Sequence, residues 1–259
     1  MENKKKIAVI TGASSGMGRE FALRIDGEEK FDEVWLIARR AERLEEIASS
    51  CKNPARAISM DLSKPEAWDE YRSMLESENA DVRVLVNAAG FGHFGGFLEM
   101  ELEKQLAMID LNDKALVAMT YHTLAHMSDG GKIYQLGSLS SFQPVPFINV
   151  YGSSKAFVLS FSRATNRELK SAGRNIRMMA VCPGWVLTEF FDTAVHDDTI
   201  SYYNRYYTAE QVITRALRDM KKGRDVSICG FPVRAQVLGV KLLPHKTVMN
   251  VWCKQQKKK

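Results

Sequence analysis

Tyr151 and Lys155 stand four residues apart in YGSSK at the start of a long helical pattern, so a helix there carries a phenol and an ammonium on one face. An ammonium beside a phenol favours the ionised form and draws a pKa of about 10 toward the range where a tyrosine can exchange protons. The same spacing also suits two surface residues. Thirteen residues before the tyrosine, Ser138 follows the strand-like run Lys132–Gly137, whose end would aim the hydroxyl into the same crevice as a donor to a substrate oxygen. Ser140 and Ser141 are rival hydroxyls; spacing favours Ser138.

A second constellation suits phosphate. Thr11-Gly12-Ala13-Ser14-Ser15-Gly16-Met17-Gly18 lies between a strand-like IAVIT and a helix predicted over Gly16–Ile25, where glycines permit a tight turn and free N–H groups at a helix start can meet a pyrophosphate. Its G-x-x-x-G-x-G spacing departs from the common dinucleotide fingerprint, and plain loop geometry is the competing explanation. The second strand ends in Ala38-Arg39-Arg40, where a carboxylate would receive the ribose diol of NAD. A guanidinium at Arg39 instead favours a ribose carrying a 2′-phosphate. Asp61, ending the third strand, suits either an adenine contact or a helix cap, with Leu62 packing nearby.

Such residues need a sheet to hold them. Near-continuous apolar runs at Lys6–Thr11, Glu33–Ala38, Ala55–Met60, Val82–Asn87, Lys132–Gly137, Ile176–Cys182 and Asp225–Cys229 alternate with helical patterns. Strands written that way are covered on both faces, which predicts an α/β, Rossmann-like doubly wound domain around a seven-stranded parallel sheet. No linker divides the chain, so 1–259 is expected as one domain: a core over 6–230, a less regular insert at 190–207 and an extension over 231–259.

Composition narrows the classes further. The 259 residues carry 36 Lys plus Arg and 31 Asp plus Glu, a net +5, with 45% hydrophobic residues, which is ordinary for a globular chain. Seven lysines at the two ends account for the excess, leaving 29 basic against 31 acidic residues elsewhere, so charge gives no reason to expect a nucleic-acid groove. Cys51, Cys182, Cys229 and Cys253 lack metal-ligand or disulfide spacing, and no metal is expected. Neither a signal peptide nor a spanning run is recognisable, which fits a reducing, cytoplasmic setting.

Together these motifs resemble the classical short-chain dehydrogenase/reductase (SDR) family over nearly all of Lys6 to about Gly230: TGASSGMG as the cofactor turn, Asn87-Ala88-Ala89-Gly90 at a strand end, Asn112 in DLNDKA, Ser138, the Y-x-x-x-K of Tyr151 and Lys155, and Pro183-Gly184-Trp185-Val186-Leu187-Thr188. The resemblance implies an enzyme interconverting a carbonyl and a secondary alcohol, with Tyr151 as acid or base and Lys155 holding the nicotinamide ribose and lowering the phenol pKa. Ser138 would polarise the substrate oxygen, Asn112 would support a water leading from Lys155 to solvent, and Thr188 would contact the nicotinamide carboxamide. The dinucleotide would lie against Gly12, Ser14, Ser15, Gly16, Met17, Gly18, Arg39, Asp61, Leu62, Asn87, Ala88, Gly90, Tyr151, Lys155, Pro183, Gly184, Val186 and Thr188. Many NADP-preferring relatives carry a basic residue where this chain has Ser15, so Arg39 must supply most of a preference for NADP(H) over NAD(H). A non-catalytic dinucleotide-binding regulator or scaffold is the alternative, and it would not require all four of Asn112, Ser138, Tyr151 and Lys155.

The segment 190–207, a mobile lid in that family, is aromatic: Phe190, Phe191, Tyr202, Tyr203, Tyr206 and Tyr207 suit either a lipophilic substrate, such as a hydroxysteroid or a 3-oxoacyl chain, or local packing. Phe142, Pro144, Val145, Pro146 and Phe147 are expected to border the same cleft, and His93, Phe94, Phe97 and Trp185 are further candidates. Pro244 divides the extension into two short amphipathic pieces, for which pocket cover, packing or subunit contact is favoured over contact with an anionic membrane. The resemblance further implies a homodimer or homotetramer joined through the helices near 101–127 and 150–172.

Overall fold

The computed structural model describes residues 4–194, 200–201, 203 and 205–258. β1 (Lys5–Thr11) passes through the glycine turn into α1 (Gly16–Ile25). The alternation then runs β2 (Glu33–Ala38), α2 (Ala41–Ala48), β3 (Ala55–Ser59), α3 (Pro65–Ser77), β4 (Ala80–Asn87), α4 (Leu102–Ile109), α5 (Ala115–Ala125), β5 (Lys132–Leu136), α6 (Asn149–Ser171) and β6 (Arg177–Val181). A short excursion holds β7 (Trp185–Leu187), α7 (Phe190–Ala194) and β8 (Tyr206–Thr208) before α8 (Ala209–Lys221), β9 (Val226–Ser227), α9 (Phe231–Leu242) and α10 (His245–Gln255).

Seven strands form one parallel sheet in the order β3-β2-β1-β4-β5-β6-β9, the Rossmann-like arrangement expected. Both faces are covered, which explains the apolar runs. On β1, Ala8 and Ile10 pack with Phe21 of α1 and Ile213 of α8, while Ile7 and Val9 pack with Tyr71 of α3 and Met119 of α5. Burying one such Ile or Val contributes about 1.5–3 kcal/mol. Strand order reverses between β1 and β4, and the crevice beyond their carboxyl ends is where an open α/β sheet binds ligands.

Two details differ from expectation. β9 is only two residues long and pairs with β6 alone at the sheet edge. β7 and β8 make a separate parallel pair, with Trp185 opposite Tyr206, that brackets the stretch expected to be irregular. Thr208 ends β8 and caps α8: its hydroxyl accepts from Gln211 N at 3.2 Å and its N–H donates to Gln211 Oε1 at 3.1 Å. Tyr202 lies outside the described residues, as does 195–199 of the expected lid. The extension forms two helices, α9 and α10, separated at Pro244.

Candidate active site

The glycine turn is shaped by what crowds it. Thr11 Oγ1 accepts from the N–H groups of Ala88 and Ala89, both at 3.1 Å, and clamps the end of β1 to the end of β4. Gly12 sits at φ +65°, and a Cβ there would meet Ala89 N at 2.7 Å; a Cβ on Gly18 would run into the Gly12 carbonyl. Only glycine fits either place. Ser15 caps α1 without a side-chain hydrogen bond, leaving the first N–H groups of the helix to face an anion. A Cβ on Gly16 would come 3.3 Å from Thr188 Cβ, so the segment after β6 closes over the turn.

At the end of β2, Arg39 is exposed on the wall of the cleft, while Arg40 reaches into the turn: Nε and Nη2 donate to Ser14 Oγ at 3.2 and 3.1 Å. Arg40 Nη1 also pairs with Glu189 at 2.9 Å, and Arg43 Nη1 joins the same carboxylate at 2.6 Å. Hydrogen bonds from Arg40 and Arg43 hold Glu189 below the usual carboxylate range. Opposite, burial would raise Asp61, yet bonds from the Ser63 hydroxyl and N–H, with the charge of Arg39, bring its carboxyl below the ordinary value.

Ser138, Tyr151 and Lys155 converge beyond β5. Ser138 begins a 3₁₀ turn over Leu139–Phe142, its Oγ accepting from Ser140 N at 3.2 Å and its N–H donating to Ser141 Oγ at 3.1 Å. Ser141 in turn donates to the Lys155 carbonyl at 2.7 Å, so it braces α6, and Ser138 is the serine whose hydroxyl opposes the upward shift of the Tyr151 phenol. Tyr151 is wedged against Phe94 and Phe190, ring centroids 5.6 and 5.5 Å away. Lys155 Nζ donates to the Leu136 carbonyl at 2.9 Å and lies 5.7 Å from the centre of the Tyr151 ring.

The expected lowering of the phenol pKa by Lys155 is not found. Burial pushes Tyr151 up to about 12, with the Ser138 bond opposing, and burial lowers Lys155 to about 8, with Asp113 opposing. The ammonium is spent on a backbone carbonyl and the ring face, while desolvation disfavours the charged form of each group.

Asn112 occupies a π-helical turn, Asp110–Lys114, between α4 and α5. Its Oδ1 accepts from Phe91 N and its Nδ2 donates to Phe91 O, each at 3.0 Å, and Nδ2 also reaches Ser154 Oγ at 3.2 Å. A Cβ on Gly90 would stand 2.7 Å from Asn112 Oδ1 and 3.5 Å from Lys155 Nζ, which shows how closely these three residues are gathered.

One cleft of about 650 Å³ joins the phosphate and reacting ends. It is lined by every expected site residue except Asn87 and Asn112. The Asn87 side chain turns inward, donating to Thr120 Oγ1 at 3.1 Å and Gln135 Oε1 at 2.9 Å in a buried network that Gln135 closes by donating to Thr120 Oγ1 at 2.8 Å. Asn112 is buried behind Phe91. The glycine cradle, the uncapped helix start and the guanidinium groups near its rim fit a phosphorylated dinucleotide.

At the reacting end, Phe94, Val145, Trp185, Phe190 and Phe191 line the cleft as expected. Phe142, Pro144, Pro146, Phe147, His93 and Phe97 do not, and Tyr203 sits edge-on to Trp185, ring centroids 4.8 Å apart. Glu189 was not anticipated, nor were Gln236, Trp252 and Gln255 of the extension, which line the cleft, with Trp252 Nε1 donating to the Pro146 carbonyl at 3.0 Å. Asp113, likewise unanticipated, has a buried Oδ1 without a hydrogen-bond partner, and its pKa is raised to about 7 by burial against the pull of Lys155. The amphipathic pattern of the extension was visible in sequence; nothing there said which wall it would build.

Residues 6–199 match the sequence family described as short chain dehydrogenase. Sulfoacetaldehyde reductase 2 of Chromohalobacter salexigens is 35% identical over 193 residues, covering 71% of this chain and 74% of that protein. Very-long-chain 3-oxoacyl-CoA reductase-B of Danio rerio is 31% identical over 262 residues, covering 97% of this chain and 81% of its own. A short-chain dehydrogenase from Sphingobium yanoikuyae, solved in complex with NADPH, superposes with TM-score 0.77 at 27% identity, covering 95% of each chain.

Proposed function

The chain belongs to the short-chain dehydrogenase/reductase family of oxidoreductases, and from that premise we propose that it is an NADP(H)-dependent enzyme interconverting a carbonyl and a secondary alcohol on a lipophilic substrate. The observation that carries this is the convergence of Ser138, Tyr151 and Lys155 on the wall of one cleft, in an aromatic pocket continuous with the glycine cradle. The rest of the chain serves that site as one domain, with 190–207 as lid and the extension as wall.

When bound, the dinucleotide supplies or accepts the hydride. The glycine turn and helix start would hold its pyrophosphate, Asp61 and Leu62 would border the adenine, and Ala88, Gly90, Pro183, Gly184, Val186 and Thr188 would flank the nicotinamide half. Arg39, with Arg40 and Arg43, would meet the 2′-phosphate; the NADPH complex of the Sphingobium relative supports that choice.

During reduction, Tyr151 gives its proton to the substrate oxygen as charge develops there, and Ser138 donates a hydrogen bond to the same atom. A phenol raised to about 12 is held protonated for this task at neutral pH. Lys155, charged below about 8, would replenish the proton that Tyr151 gives up, and Asn112 secures the loop beneath it. Phe94, Phe190 and Trp185 exclude water from the reacting oxygen.

The aromatic lining and the match along almost the whole chain to a 3-oxoacyl-CoA reductase support a long acyl or ring-system substrate. A screen of NADPH oxidation across steroids, 3-oxoacyl thioesters, sugars and small ketones tests this. Turnover confined to small polar carbonyls such as sulfoacetaldehyde would overturn the lipophilic assignment.

We further propose a homodimer or homotetramer, supported by the apolar residues that α4, α5 and α6 leave exposed, among them Leu102, Leu106, Tyr121 and Phe157. A cytoplasmic setting is supported by four cysteines that are all free thiols.

A further inference from the structure

We propose that the outward sides of α9 and α10 form a docking surface for an anionic phospholipid membrane, while their inward sides wall the cleft. The inference depends on no assignment of substrate. α9 buries Val233 and Val237 and turns Phe231, Leu238 and Leu242 to solvent, 74%, 61% and 76% exposed. Their spacing of seven and four residues puts them on one side of the helix. Leu243 and Val251 continue the exposed apolar surface into the link and α10.

Charge selects the occupant. Residues 226–259 contain seven Lys and Arg and no Asp or Glu, whereas the remainder of the chain carries 29 basic against 31 acidic residues. Lys246, Lys254 and Lys257 are exposed, and among the described residues no lysine or arginine of this segment forms an ion pair. A second copy packed on this face about a two-fold axis would oppose cation to cation, with no carboxylate in 226–259 of either copy to relieve them. Anionic headgroups are the complementary partner, and leucines flanked by lysines on short helices are the combination that binds a membrane interface. The surface is preformed: Trp252 is tied to the Pro146 carbonyl and Gln256 Oε1 accepts from Ser201 N at 2.9 Å. With 12 and 11 residues the two helices are too short to span a bilayer, and no described helix is long and apolar enough to cross one.

The test is sedimentation of the full chain with vesicles of phosphatidylcholine plus phosphatidylglycerol, and with phosphatidylcholine alone. Binding is expected to the anionic vesicles only and to fall as salt rises. The triple substitution Lys246→Gln, Lys254→Gln and Lys257→Gln should weaken partitioning about fivefold per lysine removed. Leu238→Ser with Leu242→Ser should abolish it, with circular dichroism and NADPH fluorescence titration verifying an intact fold. Equal binding to both vesicle types, or binding to neither, overturns the proposal. So does a leucine variant that changes oligomeric state in sedimentation velocity but still binds vesicles, since the face would then join two copies.

Discussion

Lys155 lies over the face of the Tyr151 ring, 5.7 Å from its centre, while its ammonium is held by the carbonyl of Leu136. Burial, more than the lysine, sets the state of the phenol, and it sets it as an acid. Tyr151→Phe should therefore lower kcat for carbonyl reduction by about 10²-fold or more, the usual contribution of a positioned acid. Ser138→Ala should cost a similar factor with cofactor affinity almost unchanged. Steady-state kinetics with an NADPH titration checks both; full activity in either variant removes that residue from the mechanism.

Asp113 and Lys155 shift each other, and a pH profile separates them. Reduction is expected to hold steady below about 8 and to decline above it as Lys155 loses its proton. Asp113→Asn removes a carboxylate that supports the lysine charge, so the alkaline limb should move to lower pH. Stability carries its own sign. A carboxyl raised to about 7 favours the fold while protonated, and that contribution fades as pH climbs from about 4 toward 7. Melting curves should therefore show Asp113→Asn gaining more over the parent at pH 8 than at pH 5.

Glu189 occupies Arg40 and Arg43 with a carboxylate where a 2′-phosphate would compete. Neutralising it with Glu189→Gln should tighten NADPH several-fold and leave NADH nearly unchanged. Arg39→Ala should weaken NADPH by roughly tenfold, the scale of one charge-assisted contact. Fluorescence titration with each cofactor reads both changes, and equal wild-type affinity for the two cofactors would count against the preference.

Trp252→Ala opens the wall supplied by α10. KM for bulky ketones should rise roughly tenfold, with small ketones little affected, since pocket contacts discriminate on that scale. A uniform rise for all ketones would instead mean that the indole supports the site as a whole.

Asn87→Ala should act on stability. Its amide donates to buried oxygens of Thr120 and Gln135; Thr120 Oγ1 keeps its bond from Gln135, but stranding Gln135 Oε1 costs about 1–3 kcal/mol. Urea unfolding measures that loss. A drop in cofactor affinity beyond what partial unfolding explains would give the asparagine a direct place in the binding site.

What was legible in the sequence was local or periodic. The turn around Gly12 and Gly18 announces itself because only glycine survives those approaches, and Tyr151 and Lys155 share a helix whose periodicity is plain. The seven parallel strands were readable because burial on both faces leaves them apolar throughout. What escaped joins distant parts of the chain: Glu189 meets Arg43 across 146 residues and Trp252 meets Pro146 across 106. β7 and β8, three residues each, are too short to carry a period. The acidity of Tyr151 was misjudged because spacing gives neighbours but not desolvation.

Thr188, Glu189 and Phe190 are consecutive, yet they meet the glycine turn, the arginines at its rim and the reacting tyrosine respectively. Three adjacent residues thus span the whole cleft, as teeth of one key span a lock. Ligands at the phosphate end and at the phenol would therefore press on the same short run of backbone, so occupation of either end is expected to be felt at the other.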